Sequence, residues 1–496
     1  MQGQANNSNG LFCYFQPEDM IPENHLLKQL KKYIDFSFIR QKVNHLYSHT
    51  GRPSVVPEVM IKMLLIGYLF NITSERKLCD EISMHIGYRW FCGLSMGEKV
   101  PNHSTFSKNR HGRFKQSGIF QDIFDEIIRQ CIELGIVSGE HVTADGTFVK
   151  ANASLKNMEP IPVQFDSIEY IKEVEKKNPV KSKKAWEPDD DYKNKGKKIS
   201  NKTHVSKTDP DSTIGRKGKS TTNLYYCANF LMDNKNQIVV GVKTSKPNRS
   251  GEMDSAELML KDLFWKFGIK PISIGVDKGY AVGKFIYNVI MQGIKPHTPI
   301  NKYIKKSQKG IYTIDDFKFD SEKNKYICPE GKYLKYHGFK KNSFQLIWRA
   351  KEKDCKICPC KKECTKDVAR SISRHIYSEY IEKAKKDNNT KEYIKSQIKR
   401  KWIEGLFGEA KQFMGLRDAK FREGWNVKEQ FLMTALALNI KRMAKILAKR
   451  DDGGADSNIF PFLSIIGSFF YNIYRNISFY FRYVMTRQLL INLQGT

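Results

Sequence analysis

"HVTADGTFVKANAS" (residues 141–154) sets an acid, Asp145, in a β-type run and follows it at once with Gly146 and Thr147. A carboxylate inside a sheet is costly unless something uses or neutralises it. Its meaning therefore depends on which other carboxylates the chain can bring to it.

The segments after it have a regular order. "NLYYCANFLMDNKNQIVVGVKTS" (223–245) holds two alternating runs around "DNKNQ", a hairpin signal. "SAELMLKDLFWKFG" is a helix ending at Gly268, "PISIGVDKGY" an apolar strand ending in Asp277, "GKFIYNVIMQG" a further helix and "KPHTPI" a last strand. Strand, hairpin, helix, strand, helix, strand predicts a mixed α/β sheet. Asp145 and Asp277 would lie close if the first and fourth strands were neighbours. A third acid sits on the later helix expected over 391–416. At 100° per residue, Arg400, Glu404 and Lys411 fall within about 40° of one another on its wheel. A surface salt-bridge stripe would explain that face equally. Three carboxylates on separate elements of one core could instead hold two divalent cations, which would answer the charge of Asp145.

Residues 1 to 135 read as mostly helical. Ser54 and Pro57 open "SVVPEVMIKMLLIGYLF", Ser74 caps "SERKLCDEISMHIGYRWF", and "IFQDIFDEIIRQCIELG" stops at Gly135. Between them, "PNHSTFSKNRHGRF" opens a short helix at Asn102 or Ser104 that carries Lys108, Arg110 and Arg113. A basic third helix in a bundle suits DNA contact, and a plain scaffold with solvated cations suits it as well.

Lys and Arg total 84 against 53 Asp and Glu, a net charge of +31, which implies an anionic partner, nucleic acid first. The start "MQGQANNSNG" lacks the features of a signal peptide. "IFPFLSIIGSFFYNIY" (459–474) is short for a bilayer span and is interrupted by Ser464, Ser468 and Asn472. A cytoplasmic protein without membrane contact is expected. Of ten cysteines, five crowd into 328–364. Cys328 with Cys355, Cys358 and Cys364 could make a tetrahedral Zn2+ site, Cys360 being spare. That segment lacks a long apolar run, so a structural metal would help it fold. A set of reduced cysteines is the alternative.

"ADGTFVKANAS", "VDKGYAVGKF" and "RKWIEGLFGEAKQFMGLRDAKFRE" resemble the three acidic blocks of DDE transposases from bacterial insertion sequences. "GRPSVVPEVMIKMLLIGYLF" through "VPNHSTFSKNR", "TDPDSTIGRKGK", "YICPEGKYL" and "DCKICPCKKECTK" are similar to one branch of them, over roughly residues 10 to 450. The resemblance implies an α/β, ribonuclease H-like catalytic core with a helical N-terminal domain and two insertions. It implies boundaries at 1–138 (helical, DNA-binding), 139–450 (core) and 451–496 (apolar tail), with a basic, mobile insertion at about 155–222 and a Cys-rich one at about 305–390. Asp145, Asp277 and Glu404 then correspond to the acidic triad holding Mg2+ or Mn2+. Arg400 and Lys411 match the basic positions of the pattern Tyr-x2-Arg-x3-Glu-x6-Lys, while Gln397 replaces its Tyr. The implied activity is metal-dependent strand cleavage and transfer at terminal inverted repeats. The implied partners are double-stranded DNA, as transposon ends and target, and a second copy of the chain, as a homodimer or higher assembly. A catalytically inactive DNA-binding derivative and a structure-specific nuclease are the rival readings.

Overall fold

The computed structural model describes residues 16–453, apart from 49, 51–53, 116, 162–198, 217–220, 301–311 and 321. The apolar stretch 459–474 and the Lys-rich run 172–198 lie outside the described residues.

The central sheet is built from β1 (His141–Lys150), β2 (Asn223–Asp233), β3 (Ile238–Ser245), β4 (Ser273–Gly275) and β5 (Lys295–His297). β1, β2 and β3 are successively antiparallel, and β4 and β5 run parallel to β1 on its other side. The order is therefore β3-β2-β1-β4-β5, and the first and fourth strands are neighbours as the pattern predicts. The β2–β3 hairpin turns at Asp233–Gln237, where Gln237 takes φ 59° and the buried Asp233 carboxylate accepts from Lys235 N at 2.9 Å. Helix Arg249–Phe267 covers one face and stops at Gly268, which supplies the left-handed cap at φ 68°.

The other face is covered by helix Lys391–Phe413, capped by Thr390, and by helix Gly424–Asp451. Ile403, Leu406, Phe407 and Ala410 of the first are buried, and Phe407 meets Phe230 of β2 at 5.0 Å between ring centroids. Gly405 and Gly408 do not break that helix. The loop after it clasps the end of β1: Lys150 N donates to Arg417 O at 3.1 Å, and Ala419 N to Lys150 O at 2.7 Å. Asn439 of the second helix exchanges two 2.8 Å hydrogen bonds with the backbone of Val239, which satisfies the open edge of β3.

The N-terminal helices, from Leu26–Tyr33 to Ile119–Glu133, do not form a core of their own. Their apolar faces and that of Gly424–Asp451 belong to one continuous cluster that also contains the sheet. Cys131 Sγ lies 3.8 Å from Met443 Sδ, and Lys32 pairs with Asp451 at 2.7 Å. The boundary expected at 138 is a change of secondary structure, not a gap in packing.

Both expected insertions contain order that composition hides. In the first, Met158–Pro160 pairs with His204–Ser206, and Thr213–Gly215 adds a strand beside β2. Asp209 is buried there, accepting from Tyr226 Oη at 2.6 Å and Glu423 N at 3.0 Å. In the second, five antiparallel strands between Lys318 and His375 enclose a small core of Phe317, Tyr326, Leu334, Trp348, Ala350 and Ile372. The segment, expected to lack a long apolar run, does lack one, yet it builds a core of its own. Half of its core is aromatic, and it comes from residues scattered singly among polar neighbours, so no apolar run announces it.

Candidate active site

Asp145 lies opposite Phe230 in the β1–β2 pair, so both side chains face the Lys391–Phe413 helix. On its other side β1 pairs with β4 at a constant offset, His141 with Ser273 through Thr143 with Gly275. The same offset carried two residues further sets Asp277 abreast of Asp145, just past the last paired residue of β4. Asp145 in the middle of β1 and Asp277 just past β4 thus lie at matching levels of parallel neighbours.

The loop after β4 is shaped around the second acid. Asp277 Oδ1 is buried without a hydrogen-bond partner, and a Cβ at Gly279 would sit 2.7 Å from it. A buried carboxylate oxygen with an open lone pair and no room for a side chain beside it suits a small cation. Thr298 Oγ1 donates to Asp277 O at 2.9 Å and fixes the backbone.

Glu404 is near but not gathered in. It lies between buried Ile403 and Phe407, at the level of Phe230, yet its side chain is 56% exposed and bonds Arg400 Nη1 at 3.0 Å. Among the described residues no three His, Cys, Asp or Glu side chains stand close enough to hold a metal. Arg400 and Glu404 do form the shared face that the helical wheel predicts, and Lys411, half-buried, lies two turns further on. Gln397 reaches across to β5, donating to His297 O at 2.8 Å. Glu409 faces away from Glu404 and bonds Lys441 Nζ at 2.8 Å and Arg442 Nη2 at 2.9 Å.

The basic residues of the N-terminal region divide. Lys108 is exposed, and Arg113 stacks on Tyr47 at 4.1 Å while bonding Asn109 Oδ1 at 2.8 Å. Arg110 is not a surface residue: it is 6% exposed, pairs with Glu75 at 2.7 Å and Glu429 at 3.1 Å, and lies over the Phe421 ring. The expectation that Arg110 contacts DNA is corrected, because its guanidinium is spent on holding the N-terminal helices to Gly424–Asp451.

The cysteines of the insertion collect at one end of their sheet. Cys328, Cys355 and Cys364 pack on its core, and Lys332 N donates to Cys328 Sγ at 3.2 Å. Burial pushes the Cys364 thiol up, Arg370 works against this, and the neighbouring Cys355, Cys358 and Cys328 add to it.

Sequence reasoning missed a buried polar cluster under the glutamate helix. His141 Nδ1 meets Ser273 Oγ at 2.8 Å, while His141 Nε2, His297 Nδ1 and Ser396 Oγ are buried without partners. A Cβ at Gly275 would lie 2.8 Å from Ser396 Oγ, so this glycine lets the helix approach the sheet. Burial, with help from His297 and Lys399, lowers the His141 pKa to about 4. A histidine depressed in the folded state costs stability as pH falls from its unfolded value toward the folded one. Between pH 6.5 and 4 this contributes up to about 3 kcal/mol of destabilisation. His141→Gln should therefore show a shallower loss of unfolding free energy over that range in urea titrations. Equal slopes for the two proteins would refute the assignment.

Two family models match the chain. Residues 15–112 match a transposase domain (DUF772), and residues 327–444 match a transposase DDE domain. The second span includes Arg400, Glu404 and Lys411. Asp145 and Asp277 fall between the two spans. Among solved structures, the chain is similar to that described as the cryo-EM structure of a piggyBac transposase synaptic complex with hairpin DNA. The identity is 11%, the TM-score 0.35, and the match covers 86% of this chain and 76% of that one. The comparison with curated proteins found no match. Among the described residues no helix is long and apolar enough to cross a membrane. With a transposase domain matched over its N-terminal helices and a transposase DDE domain matched from the cysteine segment into the last described helix, the two spans support an insertion-sequence DDE transposase.

Proposed function

We propose that the protein cleaves DNA at the ends of its element and joins them to a target, with a ribonuclease H-like core and Asp145, Asp277 and Glu404 holding Mg2+ or Mn2+. The reading is supported by the β1–β4 register, which continued past Gly275 would bring Asp277 level with Asp145, together with the unpartnered Asp277 Oδ1. The sheet order β3-β2-β1-β4-β5, with its parallel pair beside an antiparallel hairpin, supports the ribonuclease H-like reading. A divalent pair would activate the attacking hydroxyl and stabilise the leaving oxygen of a phosphodiester.

The chain's own residues divide the remaining tasks. The aspartates would hold the cations against a rigid sheet, and the reacting phosphate would be positioned by those cations. Glu404 completes the acidic set by leaving its contact with Arg400 and turning inward on the face it already occupies. Arg400, released, and Lys411 lie on that face to position the phosphate and offset its charge. Water attacks first and leaves a 3′-OH on the element, and that hydroxyl then attacks a target phosphodiester in line. Lys108, Arg113 and the N-terminal helices supply backbone contacts to the duplex. Joining two ends requires at least two copies of the chain. Cys328, Cys355, Cys358 and Cys364, near enough to act on one another's charge, would have to draw together to hold a structural Zn2+ that closes the insertion.

The test is a duplex carrying the element's own end, incubated with the purified protein and Mg2+ or Mn2+. Nicking to a 3′-OH followed by joining to a second duplex is expected. Binding should weaken steeply with salt, each phosphate contact contributing about 0.9 to the logarithmic slope. Nicking without joining would favour a nuclease, and binding without either reaction a DNA-binding derivative.

A further inference from the structure

We infer that the end of β3 carries a nucleotide-binding pocket, in which a base lies on Trp425 and a phosphate meets Lys246 and Lys428. A cavity of about 430 Å3 opens there, between the last residues of β3 and the start of helix Gly424–Asp451. That volume lies within the range of small-ligand pockets. The inference uses none of the residues read as a cation site.

Three lysines line the cavity, Lys243, Lys246 and Lys428. Lys243 is answered by Asp262 at 2.7 Å, and Lys246 is exposed. Lys428 is half-buried. Burial, then the charges of Lys243 and Lys266, lowers its pKa against the pull of Asp125 and Asp262. Lysines crowded in this way repel one another, and an anion among them relieves the repulsion. A polar group supports the same reading. Thr244 lines the cavity, and its Oγ1 is buried without a hydrogen-bond partner, so a ligand oxygen would complete it.

The aromatic wall comes from the helix. Trp425 is fixed from two sides: its Nε1 donates to Glu423 Oε2 at 2.5 Å, and its ring meets that of His111 edge-on at 6.1 Å. With its N–H spent, the indole offers the cavity only its ring, a surface on which any base can stack. Asp211, the acid of the lining, is turned to the helix, its Oδ2 accepting from Gly424 N at 2.8 Å. Lysines on a basic chain are ordinarily solvated and nothing more. These differ in sharing a cavity with a fixed ring and an unanswered hydroxyl.

The place of the pocket matters too. Thr244 pairs with Ala228, and Ala228 with Thr147, so Thr244 shares the sheet face of Asp145, two strands across and two residues further along. At standard strand dimensions that is roughly 12 Å, or about three to four steps of a duplex at 3.4 Å each. A residue of a DNA strand lying at Asp145 is therefore one source of the nucleotide, and a free nucleotide, of the same chemistry, is the other.

Calorimetric titration of the full chain with deoxyadenosine monophosphate, without divalent metal, tests the pocket apart from any turnover. Deoxyadenosine and inorganic phosphate should each bind at least about tenfold more weakly than the nucleotide. Lys246→Gln and Lys428→Gln should each weaken the nucleotide about tenfold, through the loss of a charge-assisted contact. Trp425→Ala should weaken it by a similar factor and Trp425→Phe by less, since a ring remains. Urea unfolding of the four variants separates a damaged fold from a lost contact, and Lys246→Gln, on an exposed side chain, should unfold as the wild type does. Irradiation of duplexes with iodouracil at successive positions then identifies the source. A crosslink mapped to Trp425 would make the ligand a residue of the DNA strand, and nucleotide binding without such a crosslink a free nucleotide. Nucleotide binding that survives both Lys246→Gln and Lys428→Gln would overturn the pocket. So would the absence of both nucleotide binding and a crosslink at Trp425.

Discussion

Glu404→Gln is expected to lower metal-dependent cleavage of a transposon end about a thousandfold while leaving the affinity for that DNA intact. A metal ligand contributes through the charge it fixes at the reacting phosphate, several kcal/mol, and about 4 kcal/mol corresponds to a factor of a thousand. Gln has the same shape and keeps a hydrogen bond with Arg400, so the fold should be undisturbed. The control lies on the same helix. Glu409 is rotated about 140° from Glu404 on an unbroken helix and is occupied by Lys441 and Arg442 of the neighbouring helix. Burial works against ionisation of Glu409, but those two cations outweigh it and hold its pKa below the usual carboxylate range. Glu409→Gln should keep cleavage and cost about 1.5–3 kcal/mol of stability, the worth of hydrogen bonds to charged groups. Cleavage and denaturation measured on both variants decide the matter. Activity surviving in Glu404→Gln but lost in Glu409→Gln would transfer the role.

Arg110→Met is expected to cost about 3–5 kcal/mol in urea unfolding. Removing one partner from a buried ion pair leaves the other charge desolvated and uncompensated. Here the stranded group is Glu429, 4% exposed, whose carboxyl burial pushes up to about 7 against the pull of Arg110. Without Arg110, Glu429 should take up a proton at neutral pH. The destabilisation should therefore be smaller at pH 6 than at pH 8, because protonation relieves the stranded charge. Adding Glu429→Gln should recover part of the loss. A variant of unchanged stability but weakened DNA binding would return Arg110 to the DNA surface.

The case of Arg110 shows where sequence reading runs out. Lys108, Arg110 and Arg113 look alike as a basic run, and what separates them is Glu429, 319 residues away. The helix they were expected to share ends at Lys108, and Asn109–Arg113 forms a wider turn that rotates Arg110 inward. The strands around Asp145 were legible because alternation, a hairpin turn and glycine stops act locally. Their neighbour relation followed from the order of elements. The strands of the cysteine segment were not legible, as Phe317, Tyr326 and Trp348 each stand among polar neighbours.

The helix Gly424–Asp451 has a consequence for how the chain is made. It buries the apolar faces of helices that end at Glu133, so synthesis must proceed about 290 residues further before those faces are covered. At roughly 5–20 residues per second that interval lasts about 15–60 s. Throughout it, Leu27, Leu30, Ile123 and Ile127 belong to a nascent segment whose final packing partner does not yet exist. Until the last helix is made, those faces are open to non-native association.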